Sequence, residues 1–393
     1  MLKRERIQRA VSKASEVPGV GDKRPHHIRA ALLEADALMG RRAHANVSRR
    51  HFGAAAVSDP PANTVAPVVS GSTTLGATLS TTDGTWTGTA PIAFTYQWQR
   101  GGVDISGETD ATYVVVADDF GTNIRCVVTG TNEAGFASAN SNNHAIPTLQ
   151  AQINTIITGY GFTTNAVWII RTADLTLETG DKISQYRDSS GNARHFNQAT
   201  DANRPTYEAT AINGKPGASL DGGDFMVTGN YDASGSCELI WGLFQDAAAG
   251  SMTILNRFTG SGAGVIMRVN TGGAGTLRGQ GSVSGNSITD SAASYPMTSP
   301  GVVCVTFDSA LTTHEAKVWH DGVDVSGSYS ADTDNATTTI TGKPMYFGAL
   351  APGSASFFTG KFGIGVHASG TGPVPAGLVD DVTEVMKAAW GLA

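Results

Sequence analysis

From Val65 onward the chain is built of short apolar runs, each closed by Gly, Asp or Asn. They lie at residues 65–69, 76–80, 92–99, 112–116, 123–130 and 137–141, and resume at 237–245, 251–258, 264–269, 301–308, 315–319 and 344–350. Runs of this length with turn residues between them cannot become long helices; they predict packed antiparallel sheets. The 48 glycines and the 16% of charged residues suit many tight turns, so the fold class expected is mainly β. No run approaches the ~20 apolar residues that cross a bilayer, and no membrane span is expected.

The first 57 residues are different in kind. Residues 1–53 carry 12 Lys and Arg against 5 Asp and Glu, while the whole chain has 27 against 34, so a basic arm precedes an acidic body. No aromatic residue occurs before Phe52, which leaves the arm little with which to build a core. Ile7, Ala10, Val11 and Ala14 recur at helical spacing before Pro18-Gly19. A second stripe of Ile28, Ala31, Leu32, Ala35, Leu38 and Met39 runs from Pro25 to Gly40-Arg41-Arg42. Apolar stripes without a local core need a partner. A larger assembly, a bundle of like chains and nucleic acid all compete for that place, against a plain solvated terminus. Nucleic acid is the weakest of these, because Glu5, Glu16, Glu34 and Asp36 interrupt the basic residues and no aromatic interleaves them. The anchoring candidates are Ile7, Val11, Ile28, Leu32, Leu38, Met39, Arg41 and Arg42. The opening residues have positive charge but no apolar h-region and no small-residue cleavage site, so no signal peptide is expected.

Cys126, Cys237 and Cys304 sit in apolar runs at no metal-ligand spacing and read as buried thiols rather than a disulfide framework. Motifs of chemistry are missing as well. There is no Glu-x-Asp-x-Glu strand to set two carboxylates across a glycosidic bond, no metal-spaced histidine cluster, no Gly-x-Ser-x-Gly elbow and no phosphate loop. His26-His27 is an isolated pair at a helix start. No catalytic residue, cofactor or metal is expected, with a structural Ca2+ left open.

After a hinge at residues 58–63, the run Phe94-Thr-Tyr-Gln-Trp98-Gln-Arg100 places Tyr96 and Trp98 on one face ahead of the Gly101-Gly102 hairpin. Together with Ala117-Asp-Asp-Phe-Gly-Thr-Asn-Ile-Arg-Cys126, it resembles the immunoglobulin-like domains of phage and bacterial surface proteins over residues 58–147. Leu79 stands where the partner of Cys126 would be, and Ile124 where the tyrosine corner would lie, so no inter-sheet disulfide is expected. Residues 148–165 form a linker with a short helix over 149–157, closed by Gly159 and Gly161.

Residues 166–393 carry a more specific set of motifs. They are Tyr186-Arg-Asp188-Ser-Ser-Gly191-Asn192, Arg204-Pro205, Asn213-Gly-Lys-Pro216 and Asp221-Gly-Gly-Asp224, with a closing helix over 378–390. This order resembles the laminin-G or concanavalin-A-like jelly rolls common in phage fibres and adhesins. Arg171 stands where relatives commonly have an acidic residue, which weakens any cation site the family would imply. Asp188 and Asn192 can bond turn backbone through their side chains, with Gly191 supplying a left-handed conformation. Cation or glycan contact is the competing role for Asp188 and Asp224. Alternation puts Ala316, Val318 and His320 on one face of a strand and Lys317, Trp319 and Asp321 on the other. If Val318 is core, Trp319 offers a flat apolar surface to a sugar ring, with Lys317 and Asp321 as polar neighbours. The competing reading has Trp319 covered by a loop or subunit.

These resemblances imply a phage virion surface protein without enzymatic activity, of capsid decoration, head fibre or collar type. It would be made in a host bacterial cytoplasm, dock onto capsid, portal or collar proteins through its arm, and engage host or environmental glycans with its jelly-roll head. A tail-associated receptor-binding protein or depolymerase, and a purely structural collar or spike, are the alternatives. Self-association, with a trimer favoured, is expected of the helical stripes. Removing residues 1–57 should leave a folded, soluble protein that no longer enters particles; normal incorporation of the shortened chain would refute the anchoring role.

Overall fold

The computed structural model describes residues 58–169, 177–233, 235–246, 252–257, 264–270, 276–282, 287–291, 295, 299–308, 316–332, 343–349, 357–375 and 377–392. The expected arm, with Ile7, Val11, Ile28, Leu32, Leu38, Met39, Arg41 and Arg42, lies outside the described residues, as does Arg171. The described chain is mainly β, built from antiparallel sheets that pack as sandwiches.

The smaller set of sheets centres on Ala93–Arg100 and Asn123–Asn132, which pair along their length with Trp98 opposite Cys126. Buried and exposed positions alternate along Asn123–Asn132, the signature of a strand with one face on a core. That core joins Val69, Leu79, Trp98, Tyr113, Val115, Ile124, Cys126, Val128 and Ile146. The Trp98 indole stacks on Tyr113 at 5.4 Å and donates to the Asp110 carbonyl at 2.9 Å, so its one polar atom is satisfied inside. Below it Asp119, fully buried, accepts from Arg100 Nε at 2.7 Å and from the Tyr113 hydroxyl. The run expected as one strand over 65–69 is divided into Ala62–Val65 and Val69–Gly71, because Pro67 has no N–H to give a ladder.

The strands of the larger sandwich fall between two helices in the chain. Among the described residues, an eight-stranded sheet runs in the order Thr206–Ile212, Lys215–Asp221, Thr359–Gly370, Cys237–Asp246, Gly301–Asp308, Ala316–His320, Val323–Asp324, with Thr163–Ile169 also paired to Thr359–Gly370. A nine-stranded sheet faces it. Gly301–Asp308 is buried at every position, so the eight-stranded sheet is covered on both faces. Its inner face joins Trp168, Tyr186, Phe196, Ile240, Val303, Val305, Phe307, Val318, Phe347 and Phe362. Its outer face presents Leu239, Trp241, Leu243, Cys304, Ile364 and Val366 to α1 (Leu149–Gly159) and α2 (Leu378–Ala389).

Each helix is specified locally. In α1, Leu149, Ile153, Ile156 and Ile157 fall on one stripe, and Thr148 caps the start by accepting the Ala151 N–H at 3.3 Å. In α2, Leu378, Val379, Val382, Val385 and Met386 form the buried stripe, with Asp380 and Asp381 at the positive end and Lys387 at the other. No described helix is long and apolar enough to cross a membrane.

All three cysteines are free and buried, and burial pushes the Cys304 thiol well above its ordinary range. A reductant should therefore leave Tm unchanged in a thermal melt. A fall of several degrees would reveal a disulfide.

Candidate functional site

The turn between Gln185–Tyr186 and Phe196–Asn197 is organised by one carboxylate. Asp188 Oδ1 accepts from the backbone N–H groups of Val167 at 3.0 Å and Ser190 at 2.9 Å. Its Oδ2 accepts from the Ser190 hydroxyl and the Arg194 N–H, both at 2.9 Å. Four donors on one buried carboxylate pin the turn to the neighbouring strand and occupy its lone pairs. Gly191 and Ala193 take positive φ values of 90° and 55°, and Asn192 donates to the carbonyls of Thr164 and Asn165. Arg194 Nη1 donates to the Asn165 carbonyl and side chain at 2.7 and 2.9 Å.

A cleft of about 560 Å³ opens beside this turn, lined by Thr148, Gln150, Gln185, Arg187, Asp188, Ser189 and His195. The N-terminal end of α1 forms one wall and the turn forms the other. The Asp188 N–H donates to His195 Nδ1 at 3.0 Å, which leaves the ring proton on Nε2 as a donor. Gln185 donates to Asn197 Oδ1 at 3.0 Å and keeps its own carbonyl oxygen as an acceptor. Arg187 is exposed and makes no hydrogen bond or ion pair with the described residues.

Beneath the turn lies a buried polar network that sequence reasoning missed. The Tyr231 ring is held between two guanidinium groups, Arg194 at 4.4 Å and Arg257 at 4.5 Å from its centroid. The Tyr231 hydroxyl lies 3.0 Å from His367 Nδ1, and His367 Nε2 faces Glu238 Oε2 at 3.3 Å. Glu238 pairs in turn with Arg257, which donates to the Tyr231 carbonyl at 2.7 Å. Burial holds His367 below the ordinary imidazole range, against the opposing pull of Glu238. Burial also works to raise Glu238, but Arg257 and His367 outweigh it and leave the carboxyl below its usual range. These residues come from two strands and the loops between other strands; only the apolar runs around Glu238 and His367, each broken by one polar residue, marked them in the sequence.

The other expected residues are placed elsewhere. Trp319 does lie opposite Val318 as alternation required, yet its face is the one beneath the helices, where it packs against the outer-face core. Its indole nitrogen is buried without a hydrogen-bond partner among the described residues and the ring is half-buried against that core, so it does not stand out as the flat open face expected for a sugar. Lys317 pairs with Asp324 at 3.3 Å. Asp321 has a positive φ of 48° and accepts the Val302 N–H at 2.9 Å, closing a hairpin. Neither group joins the cleft. Asp224 is buried under a separate turn, where Oδ2 accepts the Asp221 N–H at 3.1 Å and Lys182 stands 4.0 Å from Oδ1. No group of three or more His, Cys, Asp or Glu among the described residues could hold a metal ion.

No protein-family model matches the sequence, and no curated protein matches it. Solved structures align with it at low identity and low TM-score. Domain 4 of an extracellular GH43 arabinanase from Geobacillus stearothermophilus, in complex with arabinotriose, aligns at 15% identity and a TM-score of 0.40, over 56% of this chain and 98% of that one. A GH54 α-L-arabinofuranosidase aligns at 15% and 0.43, over 60% of this chain and 65% of that one. Trypanosoma rangeli sialidase in complex with sialic acid aligns at 11% and 0.39, over 82% of this chain and 53% of the sialidase. The chain thus spans about half the length of the sialidase and just under two thirds of the arabinofuranosidase. The expectation of a chain without enzymatic activity is overturned by these neighbours, which are glycoside hydrolases or a domain of one. At TM-scores this low, the likeness assigns no reaction to the chain.

Two outcomes follow from these placements. Trp319→Ala should lower Tm by several degrees through loss of packing beneath α2, and an unchanged melt would show the ring to be free. Burial pushes the Asp224 carboxyl up to about 6. The folded state then holds this proton more tightly than the unfolded chain, so stability falls as pH rises from ~4 to ~6. Asp224→Asn should remove that decline and gain on the order of 2 kcal/mol at pH 7 with little change at pH 4. Equal melting shifts at both pH values would refute it.

Proposed function

We propose that this protein is a bacteriophage virion surface protein whose larger sandwich is a concanavalin-A-like jelly roll that holds a glycan in the cleft beside Arg187 and His195. The smaller sandwich is read as an immunoglobulin-like spacer. The pairing of Trp98 opposite Cys126, with Leu79 buried in the same core, supports that assignment. The Asp188 turn and the hairpin at Asn213-Gly214, with φ values of 48° and 75°, support the jelly roll, since both motifs of the resemblance adopt the turns their residues favour. The basic arm is the docking element toward other virion proteins, with a homotrimer expected.

The observation that carries the glycan reading is the cleft itself. It is large enough for a few sugar rings and lined by two amides, two hydroxyls, an imidazole, a guanidinium and the Asp188 carboxylate, more polar than apolar. Saccharides present many hydroxyls in fixed directions, and planar polar side chains on a turn pinned by Asp188 answer that with preorganised hydrogen bonds.

The full-length protein should give saturable binding on a glycan panel, and the double variant Gln150→Ala with Gln185→Ala should lose it at least ~tenfold without a change in Tm. Release of reducing ends in the same wells would report any hydrolysis. Absence of binding to every glycan, or unchanged binding by the folded double variant, would overturn the reading.

A further inference from the structure

We infer that the saccharide held at this cleft is acidic, bearing a carboxylate that Arg187 anchors. This rests on the reading of the cleft as a glycan site and adds the charge class of the ligand.

The polar groups at the cleft differ in what already engages them. Asp188, the only acidic residue lining it among the described residues, gives its carboxylate oxygens to four donors of its own turn and the neighbouring strand and is almost wholly buried, so it is committed inward. Arg187 is the opposite case: exposed, permanently charged, and without a partner among the described residues. Two half-buried basic side chains elsewhere are paired, Lys215 with Asp118 and Lys361 with Glu208. His195 adds a second donor because its Nδ1 is occupied by a backbone N–H, and the Gln150 amide has no partner among the described residues. Donors at the cleft therefore exceed acceptors. The wall formed by the start of α1 adds the positive end of a helix dipole on the same side. A neutral sugar can accept from the guanidinium through its oxygens but leaves its charge unanswered. A carboxylate meets it with two parallel N–H to O bonds.

The test uses oligogalacturonate, oligomannuronate and oligosialic acid beside their carboxyl-reduced neutral forms, with full-length protein in isothermal titration. At least one acidic saccharide should bind about tenfold or more tightly than its reduced form, with the preference weakening as salt is raised. Arg187→Gln should abolish that preference while leaving Tm and any binding of the reduced form in place. Equal or tighter binding of the neutral forms, or a preference that survives Arg187→Gln, overturns the inference and leaves the glycan reading intact. A preference found only for sulfated saccharides on the panel also overturns it, since the anchor would then read sulfate. Absence of binding to any saccharide, neutral or charged, removes the glycan reading itself.

Discussion

The eight-stranded sheet is covered on both faces, and most of the larger sandwich follows from that. A strand such as Gly301–Asp308, buried at every position, must find apolar partners above and below. The nine-stranded sheet supplies one side, and α1 and α2 supply the other. Because α1 is committed to the outer face, its first turn is held beside the Asp188 turn, and the space between them becomes a cleft rather than open surface. The same commitment buries the face on which Trp319 lies.

Beneath that cleft the protein keeps an unusual concentration of charge. Two guanidinium groups, a carboxylate and an imidazole surround one tyrosine, and each is engaged by another member. Burial of such groups is costly unless they are paired and hydrogen-bonded, and a fully connected set tends to fix one arrangement of the elements around it. Arg194 belongs to this network through its guanidinium and to the Asp188 turn through its backbone N–H. The outer rim and the interior are therefore joined through a single residue.

Local signals were legible in the sequence. The Asp188, Gly191 and Asn192 turn could be read from residue chemistry alone, because Asx side chains and glycine act on their immediate backbone. The helix read over 149–157 runs over Leu149–Gly159, and the closing helix read to 390 ends at Ala389. What could not be read depends on distant partners. Alternation gave the correct face for Trp319 but could not say what covers that face, since α2 returns to it from some sixty residues further on. Gln150, Gln185, Arg187 and His195 meet only because the fold closes, and no spacing announces them. Glu238 and His367 look like isolated charges in apolar strands until the strand register places them within reach of Arg257 and Tyr231.

The position of α1 has a mechanical consequence. It follows directly on the last strand of the smaller sandwich, His144–Ala145, and its buried Gln152 donates to the Thr73 carbonyl of that sandwich at 2.7 Å. One helix is thus a tether for the smaller sandwich, a lid on the outer sheet face and a wall of the cleft. A pull transmitted along the chain from the smaller sandwich reaches this wall before it reaches the sheet behind it, so tension and ligand occupancy act on the same eleven-residue lever.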